Sequence, residues 1–411
     1  MNMIGENKLT DIIPEGIKTA LGHISKSCAY LGFEAFIVGG AVRDMLLGSG
    51  ITDVDISVVG DVQRLAAELR KRYGYKAIFH PFFGTVTLQT QQAINIDITT
   101  ARWETYSAPA ALPEVFPSNL YDDLRRRDFT INSMAVSLEG FVFIDPFGGR
   151  EDLKNGILRV LHDNSFADDP TRIMRGIRFE KRYGFKMDNR TEALMRGAIA
   201  EGYPARLSSE RVLAEMEYMM AEPGLSDMLG RMEEIGLWCT LFGGSVISPL
   251  AYQRLGRLNG DPGSRLLFPA LVLMEDINDD AFKKAFGRYK TYYEKLETYR
   301  SREKALKFPV RERPLEPGML YRLFWGIAGE ILEYLALTAD TTPYRENVKT
   351  YMKDLVGFKF YINGGDLESL GIKPGPRYRI FLERARVEIV EGNIKDRRGQ
   401  LEILAAVAKR G

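Results

Sequence analysis

Apolar residues recur at helical spacing over residues 8–31, with Ile13, Ile17, Leu21, Ile24 and Ala29 on one side. The first element predicted is therefore an amphipathic helix that packs on whatever follows. The pattern then shortens. Phe36-Ile37-Val38 is a compact apolar run ending at Gly39-Gly40, Ala41 to Gly48 reads as a short helix, and Ile51 to Val59 reads as a strand carrying Asp53 and Asp55. Asp61 to Tyr73 places Val62, Leu65, Ala66 and Leu69 on one helical face, and three strand-like runs follow at 76–79, 84–88 and 93–98. Residues 103–122 carry three prolines and no periodicity, which predicts a long exposed loop. Val142-Phe143-Ile144 is a further strand, closed by the turn residues Asp145 to Gly149. Residues 168–185 form a helix with Asp169 as N-cap and Pro170 in its first turn, and Ser208 caps another. Beyond about 212 the pattern is almost wholly helical.

The fold class is thus α+β: an N-terminal head of mixed sheet and flanking helices, then an all-helical neck, body and tail. A chain of 411 residues exceeds one hydrophobic core, and the breaks divide it at 1–140 (head), 141–220 (neck), 221–340 (body) and 341–411 (tail).

Composition narrows this picture. With 45% apolar and 27% charged residues the chain is expected to be soluble and well cored, with no run long enough to span a membrane. Its start lacks a basic-then-apolar leader. Cys28 and Cys239 are far apart, in apolar or helical surroundings, which reads as two buried thiols of a reduced, cytoplasmic protein. His23, His80 and His162 have no zinc-ligand spacing. A net charge of +1 announces no polyanion, so any nucleic-acid contact must come from local clusters.

The candidate chemistry starts at residues 36–57. Alternation puts Asp53 and Asp55 on one face of their strand, about 7 Å apart. Two carboxylates beside a glycine turn that opens a helix suit Mg²⁺ and a triphosphate. A lone Gly-Gly or a lone Asp-x-Asp is equally a tight turn or a solvated strand face. Gly39-Gly40-x-Val42-Arg43-Asp44, then Leu47-Gly48, then Asp53-x-Asp55 together resemble the nucleotidyltransferase superfamily, in the branch holding tRNA nucleotidyltransferases and bacterial poly(A) polymerases. Arg126-Arg127-Asp128-Phe129-Thr130-Ile131-Asn132-x-Met134-Ala135 is similar to a second hallmark of that family. Arg127 offers a fork of donors to phosphate or ribose, Asp128 can orient such an arginine, and Asn132 can read a sugar hydroxyl.

The resemblance implies more. Asp53 and Asp55 would hold two Mg²⁺ ions. Asp97, on a strand that alternates Asn95-x-Asp97, would be a third carboxylate at a position where many relatives have Glu. Gly39, Gly40 and Arg43 would seat the triphosphate of ATP or CTP. Asp168-Asp169-x-x-Arg172 resembles the template motif of class II tRNA nucleotidyltransferases, which assigns base selection to Asp169 and Arg172 and nucleotide contacts to Arg175 and Arg178. On spacing alone, Asp169 and Arg172 are also a plain i,i+3 ion pair. Glu210 and Arg211 match a motif that buttresses the neck. A long loop at 103–122 speaks against an enzyme that adds only CC. The basic, tyrosine-bearing stretch 283–313 is either a solvated face or a phosphate-tracking surface, and the rear half would hold the acceptor and TΨC part of a tRNA. Asn363-Gly364-Gly365-Asp366 is either a phosphate-facing turn or a helix connector.

The activity implied is addition of the 3′-terminal CCA, or its final A, to tRNA. A poly(A) polymerase is the rival, disfavoured because residues 79–85 lack the basic Gly-Arg-Arg/Lys-Phe string of those enzymes. A non-catalytic RNA-binding protein on the same scaffold is disfavoured by the intact Asp53, Asp55 and Arg127. Oligomeric state is not legible in the sequence.

Overall fold

The structure, a computed structural model, describes residues 9, 11–49, 54–80, 84–90, 95–258, 266–277, 286–307 and 309–410. It divides into two compact units, Met1–Gly244 and Ser245–Gly411, so the head and neck segments belong to one unit.

In the first unit, helix α1 (Glu15–Leu31) precedes strand β1 (Glu34–Val38). Helix α1 begins later than periodicity predicts because Pro14 stands at its N-cap, and a residue before proline is pushed out of helical backbone. Next come α2 (Gly40–Leu46), β2 (Asp55–Val59), α3 (Val62–Tyr73), β3 (Lys76–His80), β4 (Thr85–Gln89) and β5 (Asn95–Thr100). With β8 (Ala135–Ser137) and β9 (Phe143–Ile144) they form one sheet of order β3-β4-β5-β2-β1-β8-β9. The β2–β5 pairing is parallel and sets Asp55 opposite Asp97, whereas β1–β2, β3–β4 and β4–β5 are antiparallel. One sheet face buries Ile56, Val58, Val86, Leu88, Ile96 and Ile98. On the other, Phe36, Val38 and Ala135 pack beneath Leu124, and the carboxylates Asp55 and Asp97 stay exposed.

The predicted loop at 103–122 is largely structured. Strands β6 (Arg102–Thr105) and β7 (Glu114–Pro117) form a separate hairpin, with Trp103 directly opposite Phe116 and their rings 5.0 Å apart. Helix α4 (Leu120–Arg125) follows, with Asn119 as its cap. The strands are four residues long and eight apart, too short for alternation to register.

Further along are α5 (Gly149–Asn155), α6 (Ser165–Asp168), α7 (Thr171–Tyr183), α8 (Asn189–Ala200), α9 (Ser209–Met220), α10 (Leu225–Glu234) and α11 (Leu237–Leu241). The neck at 141–220 is not all-helical as expected: besides β9 it holds a two-residue parallel pair, Ile157–Leu158 with Lys186–Met187. Cys28 is buried, and burial pushes its thiol up to about 12. Cys239 is exposed, contrary to expectation. It lies on α11 beside the buried Trp238, at a position that turns away from the core.

Every described element of the second unit is helical, from Pro249–Leu258 to Arg397–Arg410. Much of the basic stretch is committed internally. Tyr299 is buried and donates to Tyr344 at 2.8 Å, Arg300 pairs with Glu275 and Glu297, and Arg311 pairs with Glu303 and Asp340. Residues 283–285 and 308 of that stretch lie outside the described residues. Asn363 and Asp366 form a capping box on helix Gly364–Ser369, which fits the connector reading of that turn. Among the described residues, no helix is long and apolar enough to cross a membrane.

Candidate nucleotide and metal site

A cavity of about 660 Å³ opens where β1 ends and β2 begins and where α7 and α9 pass. Among the described residues, nine arginines and five carboxylates line it, an excess of cations that suits a triphosphate.

The glycine turn makes the close approach possible. Gly39 has φ +73°, and a Cβ there would lie 2.5 Å from Arg127 Nη1. Only glycine lets that guanidinium lie over the β1–α2 turn. Arg127 also donates to Asp123 at 3.1 Å, and its buried Nε has no partner among the described residues. Gly40 lines the cavity at the start of α2. Arg43 is buried; it donates to Asp44 at 2.9 Å and to Asn132 Oδ1 at 2.6 Å. Asn132 in turn donates to Asp128 Oδ1 at 2.9 Å. Both ends of the Asn132 amide are therefore engaged, bridging the two sequence motifs.

Asp128 is the hub. It is 7% exposed, and its Oδ2 accepts from Arg175 Nε and Nη2 at 2.9 and 2.7 Å. Burial opposes its ionisation, but Arg175, Asn132 and the Phe129 N–H hold the carboxyl well below the usual range.

The template pair is arranged differently from an i,i+3 ion pair. Asp169 accepts from Thr171 and from Arg211 Nη2 at 2.7 Å, while Arg172 donates to Ser165 Oγ and to the Arg126 carbonyl, both at 2.7 Å. Each side chain is fixed by other partners, and both line the cavity. Arg175 and Arg178 line it one helical step apart, with Phe179 and Arg182 beyond. The Glu215 carboxylate lies 3.7 Å from Arg175; burial raises its pKa against the pull of Arg175 and Arg178.

Asp55 opens into the cavity. Asp97 stands beside it across the β2–β5 pairing and accepts from Thr87 at 2.6 Å. Two carboxylates on adjacent strands of one exposed face suit a hard divalent cation. Asp53 lies outside the described residues. Arg102, Glu104, Arg126, Arg211 and Glu215 also line the cavity and were not singled out as site residues from the sequence. Glu104 accepts from Arg102 and Arg126, and Arg126 continues to Asp123, so the β6–β7 hairpin is tied to the arginine run. Arg211, expected to be a buttress, reaches Asp169 itself.

His162 lies behind Arg172. Burial, with Arg172 and Arg125 nearby, lowers its pKa from 6.5 to about 4. The unfolded chain takes up this proton first, so stability falls as pH drops from 6.5 toward 4, by about 2 kcal/mol at pH 5. The fall in Tm between pH 7 and pH 5 should be smaller for His162→Gln than for the unsubstituted chain.

Known proteins are similar to this chain in sequence and fold. Residues 35–159 match the family described as the poly A polymerase head domain. An A-adding tRNA nucleotidyltransferase of Geobacter sulfurreducens is 32% identical over 96% of this chain, which spans about half (48%) of that relative's length. One from Halalkalibacterium halodurans is 30% identical, with 93% of this chain and 90% of the relative covered. A solved Thermotoga maritima CCA-adding enzyme complexed with tRNA superposes with TM-score 0.75 at 29% identity, covering 99% of each chain.

Proposed function

Because this chain belongs to the tRNA nucleotidyltransferase and poly(A) polymerase family, we propose that it adds the 3′-terminal CCA, or its final A, to tRNA, taking CMP or AMP from CTP or ATP. The observation that carries this is the single cavity in which Gly40, Asp55, Arg127, Asp169 and Arg172 converge, uniting the triphosphate, metal and base-selecting motifs.

Enzymes of this family generally use divalent metals. In this reading the ion is Mg²⁺, held by Asp53 and Asp55 with Asp97 alongside. The chemistry supplied by the bound ion is activation of the RNA 3′-hydroxyl and neutralisation of charge on the departing pyrophosphate. The protein's part is positioning. Gly39 and Gly40 let the phosphates approach the backbone, and Arg127 and Arg43 flank them with donors. Asp169 offers an acceptor and Arg172 a fork of donors to the base edge, each fixed by its own partners. Arg175, locked on Asp128, and Arg178 supply charge along the nucleotide. The 3′-hydroxyl attacks the α-phosphate in line with the departing pyrophosphate, with no covalent enzyme intermediate. The helical rear half would hold the acceptor and TΨC part of the tRNA, in the cytoplasm.

The test offers tRNAs ending at the discriminator base, at C or at CC, with labelled CTP or ATP singly. Sequential CMP, CMP and AMP addition marks a CCA-adding enzyme, and AMP on the CC-ended RNA alone marks an A-adding one. Long homopolymeric A tails on unrelated RNA would instead mean a poly(A) polymerase.

A further inference from the structure

Three helices of the second unit, Lys290–Leu306, Pro317–Phe324 and Arg377–Glu391, border a cavity of about 520 Å³ whose lining residues all belong to that unit. On the last helix, Arg379, Leu382, Glu383 and Arg386 line it. They recur at steps of three and four, so they share one face. Arg302 and Leu306 come from the first helix at the same spacing, and Tyr321 and Trp325 from the end of the second. Arg302 donates to the carbonyls of Leu323 and Trp325, at 3.1 and 2.6 Å, groups that a helix end leaves without intrahelical partners. Arg386 lies over the Trp325 and Phe360 rings, 5.8 and 5.5 Å from their centroids. Its buried Nε has no hydrogen-bond partner among the described residues.

With Arg322, four arginines meet around this space, and among the described residues Glu383 alone lines it with a carboxylate. None of the four guanidiniums is ion-paired among the described residues. Elsewhere in the unit arginines are matched, Arg300 by Glu275 and Arg311 by Glu303 and Asp340. Guanidiniums gathered without counter-ions repel one another, and a bound anion relieves that repulsion while taking their hydrogen bonds. The walls are apolar as well as cationic. Trp325 is 37% exposed, its ring 4.9 Å from that of Tyr321, and Leu306 and Leu382 stand across the same space.

We infer that this cavity is a second nucleotide site, which takes a free nucleoside monophosphate with its phosphate among the arginines and its base against Trp325. Arginines supply forked donors to a phosphate, and an indole supplies a flat surface to a base. The volume is that of a small-ligand pocket. The four arginines line one cavity, whereas a run of RNA phosphates calls for a groove that tracks the backbone. This site goes beyond the functional reading above and does not depend on it, since none of its residues belongs to the catalytic cavity.

Photolabelling of the full chain with 8-azido-AMP tests the site without turnover. The expected label maps to peptides carrying Tyr321 to Trp325 or Arg379 to Arg386, besides any at the catalytic cavity. Unlabelled AMP should displace it, and inorganic phosphate at the same concentration should not. Arg322→Glu with Arg379→Glu, both exposed, should reduce this label at least about tenfold. The same double variant should keep kcat for nucleotide addition and the KM for tRNA within about twofold, and the Tm within a degree or two. Label confined to residues 1–244, or label here that the double variant retains, overturns the site. Equal displacement by AMP and phosphate would leave an anion site with no base contact and overturn the nucleotide assignment. A tenfold rise in the KM for tRNA would give these arginines to RNA and overturn the free-nucleotide assignment.

Discussion

Asp55→Asn is expected to lower kcat for nucleotide addition about 10³-fold, a loss of ~4 kcal/mol of transition-state stabilisation, since metal charge at the reacting phosphate supplies several kcal/mol. Asp55 is exposed at the start of β2 and opens into the cavity, and the strand beyond it is held by Ile56 and Val58 in the core. The fold should therefore survive the change. Asparagine keeps the size of the side chain but not its charge, so the Tm should stay within a degree or two. Steady-state kinetics separates the cases. A fall in kcat with an unchanged KM for ATP is the mark of an interaction made in the transition state. A rise in KM alone would place Asp55 in ground-state binding and remove it from the reaction centre.

Asp128→Leu should have the second-largest effect, on stability as well as activity. Asp128 is buried and accepts from Arg175, Asn132 and the Phe129 N–H. Removing one partner of a buried pair costs about 3–5 kcal/mol, because the other charge is left uncompensated. Arg175 keeps about a third of its side chain open to water, so the lower end, about 3 kcal/mol, is expected here. That corresponds to a fall in Tm of roughly 6–12 °C for a unit of this size. The ionised Asp128 contributes its full stabilisation above the usual carboxylate range, and this fades as pH falls below about 4. Pairing Asp128→Leu with Arg175→Met removes both charges and should recover much of the lost Tm, since apolar replacement of a whole buried pair is often neutral. Activity should stay low, because Arg175 no longer lines the cavity. Recovery of activity together with Tm would make the pair structural only.

The parts of the site that were legible in the sequence are those whose partners lie within a few residues, or whose motif strings are long. Gly39-Gly40 and Arg127 belong to separate strings, and the structure brings them into contact at the β1–α2 turn. The alternation of β5 placed Asp97 on the right face, and the parallel pairing with β2 then set it beside Asp55. What stayed hidden depends on distant partners. Glu104 meets Arg126 across 22 residues and Arg211 meets Asp169 across 42, and each reads alone as an ordinary surface charge. Asp169 and Arg172 have helical spacing, but apart from Thr171 beside Asp169 their side-chain partners come from α9, α6 and the arginine run, so spacing alone misplaced the contact. Tyr299 sits in a basic run that reads as a solvated face or a phosphate-tracking surface, and its buried role stayed hidden because its partner Tyr344 lies 45 residues on.

The most direct measurement is anomalous diffraction from crystals grown with Mn²⁺ and a non-hydrolysable ATP analogue. The expected result is an anomalous peak at ligand distance from Asp55, with the triphosphate beside Gly40 and Arg127 and the base facing Asp169 and Arg172. A bound nucleotide with its metal away from Asp55, or a base lying outside the α7 cavity, would contradict the account.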